Sequence, residues 1–410
     1  MNSCTSDELY RRIAPTLEQL VEVRHRRHLI NWIWIVVGIL QARKVALSEI
    51  ATHIPGAASA ASRVTTVRRW LKNLRVDPWT LYRPVLEHAL AGWHAREATV
   101  VLDGTMLFGD RWQVYRLALL HGGRAIPLVW VILPGTGLAD PEDLWTVLER
   151  AAEFLRPRVP QVLFLADRGF RDCDWVGLCQ HLGWHYAIRV AHTTTVALSR
   201  DGCYVLKPRP RPRAGHGPAR PTRHLWKGQR RKGWRGQINA LGVQPGQRAY
   251  FQHVTFTATH ELDTQLTVTW TTGSDRQPPE LLALISDRPA ARARLREYAR
   301  RPGIEESFRD DKSAGFDLAH TRLNDPVRLE RLLLAVAIAT LWCHELGEQV
   351  LATGDAQRRA IDPGTQRELS LFQLGLRWLK RCLSTGVHRL VTFRARLRHV
   401  ALPPVRQAAT

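Results

Sequence analysis

Three acidic residues stand where carboxylates can hold a divalent metal. Asp103 closes the β-branched apolar run ATVVLD, and Asp167 closes QVLFLAD. Such runs read as buried strands, and ligands in sheet-based folds gather where the chain leaves a strand end and exposes its side chains. The plainer alternative is that each Asp caps a turn, D-G after the first run and D-R-G after the second. The third acid is Glu305, in GIEESFRDDKS, which reads as a short helix. Helical spacing puts Glu305, Arg309 and Lys312 on one face and Ile304 and Phe308 on an adjacent apolar stripe. If that stripe buries against a sheet, Glu305 is aimed at the strand ends. Lys312 then lies about 10 Å along the helix, within reach of a phosphate beside the one attacked. A surface helix of mixed charge competes with this reading. Glu306, Asp310 and Asp311 fall on other faces, which leaves Glu305 as the preferred third acid.

A scaffold must bring these distant positions together. From Ala98 the strings ATVVLDGTMLF, WQVYRLALLH and AIPLVWVILPG predict three strands in meander order. A helix (PEDLWTVLERAAEFL), a strand (QVLFLADRGF), a helix from Asp174 to Leu182 and a strand (HYAIRVA) follow. The order predicts an α/β fold, a mixed sheet flanked by helices, with its first part over 96–191. Residues 192–285 alternate in short runs between Gly, Pro and Asp turns, an all-β insertion. Helical sequence returns over 286–345, the second part of the core, and over a C-terminal region, 346–410.

Residues 1–95 read as a separate α-helical domain, with apolar positions recurring at three and four. Within it, LSEIATHIPGAASAASRVTTVRRWLKN fits two helices about a Pro-Gly turn that present Arg63, Arg68, Arg69 and Lys72 to DNA. It fits equally a plain bundle with a solvated basic face. Leu29 to Leu40 is strongly apolar but far short of the roughly 20 residues of a membrane span, so it predicts a buried helix and no membrane partner.

Lysine and arginine outnumber aspartate and glutamate by 59 to 37, and the net charge of +22 points to a polyanionic partner, nucleic acid first. The segment 207–235 holds eleven Lys or Arg and no acid, including Arg230, Arg231 and Lys232, and reads as a basic loop that contacts DNA. The six cysteines are scattered without zinc-finger or paired spacing, which fits a reducing cytosol rather than a structural zinc or a disulfide framework.

The chain resembles the DDE transposases of bacterial insertion sequences, in the group whose third carboxylate lies in a Y-x2-R-x3-E-x6-K signature. Tyr298, Arg301, Glu305 and Lys312 match that signature at every spacing. LDGT at Asp103 and LADRGF at Asp167 look like the first and second Asp motifs, and IEESFRDDKS looks like the wording around the glutamate. The resemblance covers about residues 98–345. It implies an RNase H-like core in which Asp103, Asp167 and Glu305 hold two Mg2+ ions, with Mn2+ able to substitute. It also implies that Tyr298, Arg301 and Lys312 contact the DNA backbone, that the partner is double-stranded DNA (transposon ends and target), and that the enzyme acts as a homodimer. Release through a DNA hairpin, with a base flipped onto an aromatic side chain, makes Trp226, Trp234 and Trp270 stacking candidates; each also reads as a core tryptophan. The location implied is the bacterial cytoplasm, with the nucleoid. Pro302 and Gly303 depart from the family's wording and predict a helix break between Arg301 and Glu305. Two rival functions share these residues: an inactive or repurposed DNA-binding relative, and an RNase H-like nuclease without strand transfer.

Overall fold

The computed structural model describes residues 2–108, 110–135, 137–198, 203–206, 223–225, 234–256, 262–273, 278–386 and 389–397. Trp226, Arg230, Arg231 and Lys232 lie outside these described residues.

Five helices come first: α1 (Asn2–Leu20), α2 (Arg26–Ala42), α3 (Leu47–Thr52), α4 (Ala60–Lys72) and α5 (Pro78–Ala89). The apolar segment predicted as a buried helix is α2, whose residues from Ile35 to Leu40 are all buried. Ser59 caps α4 and Asp77 caps α5, each side chain accepting from a backbone amide of the first turn. Helix α4 buries Val67, Trp70 and Leu71 and leaves Arg68, Arg69 and Lys72 exposed.

The chain then enters the sheet through β1 (Glu97–Leu107), β2 (Trp112–His121) and β3 (Arg124–Pro134), an antiparallel meander. Helix α6 (Pro141–Leu155) leads to β4 (Gln161–Ala166), and α7 (Cys173–Leu182) leads to β5 (His185–Val190). Strand β4 pairs in parallel with both β1 and β5. The resulting order β3-β2-β1-β4-β5, with only β2 reversed, is the RNase H-like arrangement expected from the resemblance.

The remaining strands are β6 (Thr195–Leu198), β7 (Cys203–Leu206), β8 (Arg223–Leu225), β9 (Trp234–Gln237), β10 (Arg248–Phe256), β11 (Leu262–Trp270) and β12 (Leu281–Ser286). They extend the same sheet. Strand β12 pairs antiparallel with β5, and the order continues β12-β11-β10-β6-β9, so one twelve-stranded sheet runs across the boundary expected at 191–192.

Helices α8 (Arg292–Tyr298), α9 (Pro302–Arg309), α10 (Pro326–Thr353), α11 (Asp355–Arg359) and α12 (Leu371–Thr385) complete the chain. Helix α10 is buried over most of its length, between α2, α4 and α5, strand β3, and α12. It meets α12 through a notch: a Cβ on Gly375 would sit 1.7 Å from the Cys343 carbonyl oxygen, and one on Gly347 would sit 2.1 Å from that of Leu371. Only glycine permits that approach. No helix among the described residues is long and apolar enough to cross a membrane.

Candidate active site

The parallel register of β1 and β4 pairs Glu97 with Gln161 and Val101 with Leu165. Two more residues along, Asp103 and Asp167 stand level with each other. Because side chains alternate along a strand, Asp103 shares a face with Val101, and Asp167 shares it with Leu163 and Leu165. Asp167 keeps this phase although β4 ends at Ala166, since its φ of −88° and ψ of −173° are still extended. The sequence predicts Asp103 at a strand end; instead β1 runs on to Leu107 and stays paired with β2. Asp103 is uncovered because β4 stops beside it.

Both aspartates also do the turn work that competed with the metal reading. Asp103 Oδ1 accepts from the Gly104 amide at 2.9 Å, and Asp167 Oδ1 accepts from the Gly169 amide at 2.8 Å. One carboxylate oxygen on each is thereby fixed, and the other is turned to the common face.

Helix α9 lies on that face. Ile304 and Phe308 are buried in a small apolar cluster with Val101, Leu120, Leu163 and Leu165. Each such burial contributes about 1.5–3 kcal/mol, which an eight-residue helix needs because isolated helices of this length are unstable. Gly303 allows the approach: a Cβ there would touch Leu120 Cδ2 at 3.0 Å. Ser307 Oγ accepts from the Ala125 amide at 2.7 Å, tying α9 to the start of β3.

The chain breaks before Pro302, as its sequence predicts. Helix α8 stops at Tyr298, a turn covers Ala299–Arg301, and Pro302 opens α9. At its other end α9 gives way to a π-turn over Asp310–Ala314, in which the Gly315 amide reaches the Asp310 carbonyl. This wider turn alters the helical phase expected for Lys312. Asp311 is buried against Arg116 at 2.7 Å, and the Arg116 guanidinium lies 5.0 Å over the Phe308 ring. Asp310 is buried between Arg124 at 2.5 Å and the Gln373 amide of α12 at 2.5 Å. Burial pushes both carboxyls above the usual range against the pull of their arginines.

These anchors leave Glu305 half-exposed, pointing at the aspartates. The three acids converge on one cation, Arg301. Its Nη1 donates to Glu305 Oε1, and its Nη2 donates to Asp103 Oδ2 at 3.0 Å and lies 3.5 Å from Asp167 Oδ2. Burial pushes the Asp103 carboxyl up to about 6; Arg301 opposes the rise, and Asp167 and Glu305 add to it. Burial alone would lower the Arg301 pKa, but the surrounding acids outweigh it and the net change is upward. No three His, Cys, Asp or Glu side chains among the described residues are gathered tightly enough to hold a metal as they stand. The donor set nevertheless fits a hard divalent cation: three carboxylates around a single positive charge, with oxygen ligands only.

Tyr298 is buried at the end of α8, and burial raises its hydroxyl pKa. Lys312 is half-buried, burial lowers its ammonium pKa, and it has no ion-pair partner among the described residues. Arg309 is exposed and pairs with Glu306 at 3.0 Å. Trp234 on β9 and Trp270 on β11 are half-buried against the core, and the Trp270 indole donates to the Val243 carbonyl at 2.6 Å. Sequence reasoning missed the roles of Arg116, Arg124 and Gln373. A signal was present, since two arginines sit in otherwise apolar strand sequence and the adjacent acids Asp310 and Asp311 answer them.

The family described as the transposase DDE domain matches residues 108–342, a span that includes Asp167 and Glu305 and begins just after Asp103. No curated protein matches the sequence. Among solved structures, the piggyBac transposase synaptic complex with hairpin DNA is similar with a TM-score of 0.40 and 9% identity, covering 96% of this chain and 84% of that one. The Argonaute of Marinitoga piezophila, bound to 5′-OH guide RNA and target DNA, follows with a TM-score of 0.23 and 6% identity, covering 60% of this chain and 30% of that one.

Proposed function

Because this chain belongs to the DDE transposase family, we propose that it is an insertion-sequence transposase whose metal-dependent strand cleavage and strand transfer run on Asp103, Asp167 and Glu305. The observation that supports this reading is the convergence of the three carboxylates on one guanidinium, across two strands and a helix. Two Mg2+ ions, or Mn2+ in their place, would activate the attacking water or 3′-hydroxyl and stabilise the leaving oxygen.

The chain's own residues supply the positioning. Asp103 and Asp167 each have one oxygen held by a backbone amide, while Glu305 is half-exposed and held by Arg301 alone among the described residues. At neutral pH Asp103, with its carboxyl at about 6, is largely ionised and ready to accept a cation. Tyr298 and Arg301 flank the acids, and with Lys312 they are assigned to the DNA backbone near the cut. Arg309, Arg230, Arg231 and Lys232 add charge for the rest of the duplex, and exposed Arg68, Arg69 and Lys72 of α4 offer a second basic face. We assign the protein to the bacterial nucleoid as a homodimer on double-stranded DNA, with ends released through a hairpin and Trp226, Trp234 and Trp270 as the stacking candidates.

The test is excision in cells of a marker flanked by the protein's native genomic ends. Wild type should excise, and Asp167→Ala and Glu305→Ala at equal expression should not. Failure of all three with DNA binding intact would favour an inactive or repurposed relative. DNA affinity should fall steeply with salt, with a slope of about −0.9 in log K against log salt for each phosphate neutralised; a salt-insensitive affinity would remove the basic segment 207–235 from the interface.

A further inference from the structure

We propose that Arg301 is a displaceable counter-ion of the acid triad, and that its release couples metal loading to DNA binding. The inference rests on the triad being the metal site. The Arg301 guanidinium engages Glu305, Asp103 at 3.0 Å and Asp167 at 3.5 Å. It therefore uses the oxygens that a divalent cation would need. A guanidinium and a divalent ion cannot share those oxygens, because two desolvated cations so close repel strongly. Loading the site thus requires Arg301 to leave.

The surroundings allow that departure. Arg301 lies in the turn between α8 and α9, not within either helix. Its Nε is buried with no hydrogen-bond partner, so only the tip of the side chain is tethered. No acid is dedicated to it, whereas Arg116 and Arg124 are each matched to a buried aspartate. Once displaced, a planar guanidinium seeks another anion, and phosphate oxygens suit its fork. DNA at the cut offers that anion. Phosphate draws Arg301 away from the triad and opens it to metal, and metal expels Arg301 toward phosphate. The two effects are one coupling free energy, so each ligand must tighten the other by the same factor.

The experiment is Mn2+ binding to the metal-free full-length protein, read by paramagnetic resonance, with and without a short duplex. In wild type the duplex should tighten Mn2+ binding by about tenfold, within the usual range of such couplings. Arg301→Gln should tighten Mn2+ by a similar factor without DNA and should lose most of the further gain from the duplex. Arg83→Gln, on a distant surface pair, should behave as wild type. If the Gln variant does not fold, Arg301→Lys serves, because a point-like ammonium cannot bridge three carboxylates; the same direction is expected. Unchanged or weaker Mn2+ binding in the Arg301 variants would overturn the counter-ion role alone. Mn2+ binding that survives Asp103→Asn with Glu305→Gln, or that is missing in wild type, would overturn the triad as the metal site and this inference with it.

Discussion

Two sets of arginine–carboxylate contacts share the segment 301–311 and are built on opposite terms. At its start one guanidinium serves three acids, of which Glu305 is half-exposed and Asp167 about a third exposed. At its end each buried acid has its own arginine, Asp310 with Arg124 and Asp311 with Arg116; both acids and Arg116 are withdrawn from water, and Arg124, partly exposed, also reaches Glu306 at 3.6 Å. Matched charge in a dry setting anchors the helix. Unmatched charge beside solvent leaves a net demand for cations. Residue type does not distinguish the two sets; stoichiometry and exposure do.

The contrast can be broken most forcefully at the triad. Asp103→Asn or Glu305→Gln should lower strand cleavage by about 10⁴-fold or more, above roughly 5 kcal/mol in the barrier, while the metal-free fold persists. Excision or nicking assays on purified protein check the first part and thermal melting the second. The buried pair should respond the other way. Asp311→Asn leaves Arg116 charged and unpaired, and should destabilise the protein by about 3–5 kcal/mol in denaturant titration. Replacing both partners by apolar residues of similar volume should recover most of that loss.

A smaller effect separates the two sets by pH. In the folded, metal-free protein Asp103 titrates at about 6, and in the unfolded chain near the usual value of about 3.9. The folded state therefore holds the proton more tightly, and this stabilising contribution is lost as pH rises from about 4 through 6. Melts of wild type against Asp103→Asn in chelator should diverge by about 1–3 kcal/mol in favour of Asn over that window. The smallest change expected is at Arg309, whose pair with Glu306 is exposed. Arg309→Gln should alter stability by no more than about 0.5 kcal/mol.

The grouping of the three acids was legible in the sequence because each sits in a local string: two apolar runs that reach an Asp, though β1 continues past Asp103, and a helix whose apolar stripe at Ile304 and Phe308 fixes the side that faces the sheet. The first five strands were legible for the same reason. What was not legible depends on pairing between distant segments. Alternation tells which face a residue takes but not which strand lies beside it, so the level placement of Asp103 and Asp167 appears only with the β1–β4 register. The inward turn of Arg301 depends on three segments meeting. The π-turn at Asp310 arises where two buried ion pairs hold successive residues, and no local propensity encodes it. The continuity of the sheet through β12 was hidden because alternation in residues 192–285 marks an all-β insertion but not which of its strands pairs with β5.

That continuity has a bearing on synthesis. Strand β5 ends at Val190, and its outer neighbour β12 begins only at Leu281. At about 5–20 residues per second the ribosome takes on the order of 5–20 seconds to deliver the partner. For that interval the nascent RNase H-like core presents an open strand edge, the kind that templates aggregation. A chaperone that shields this edge until β12 arrives would therefore raise the yield of folded protein, independently of how well the finished site works.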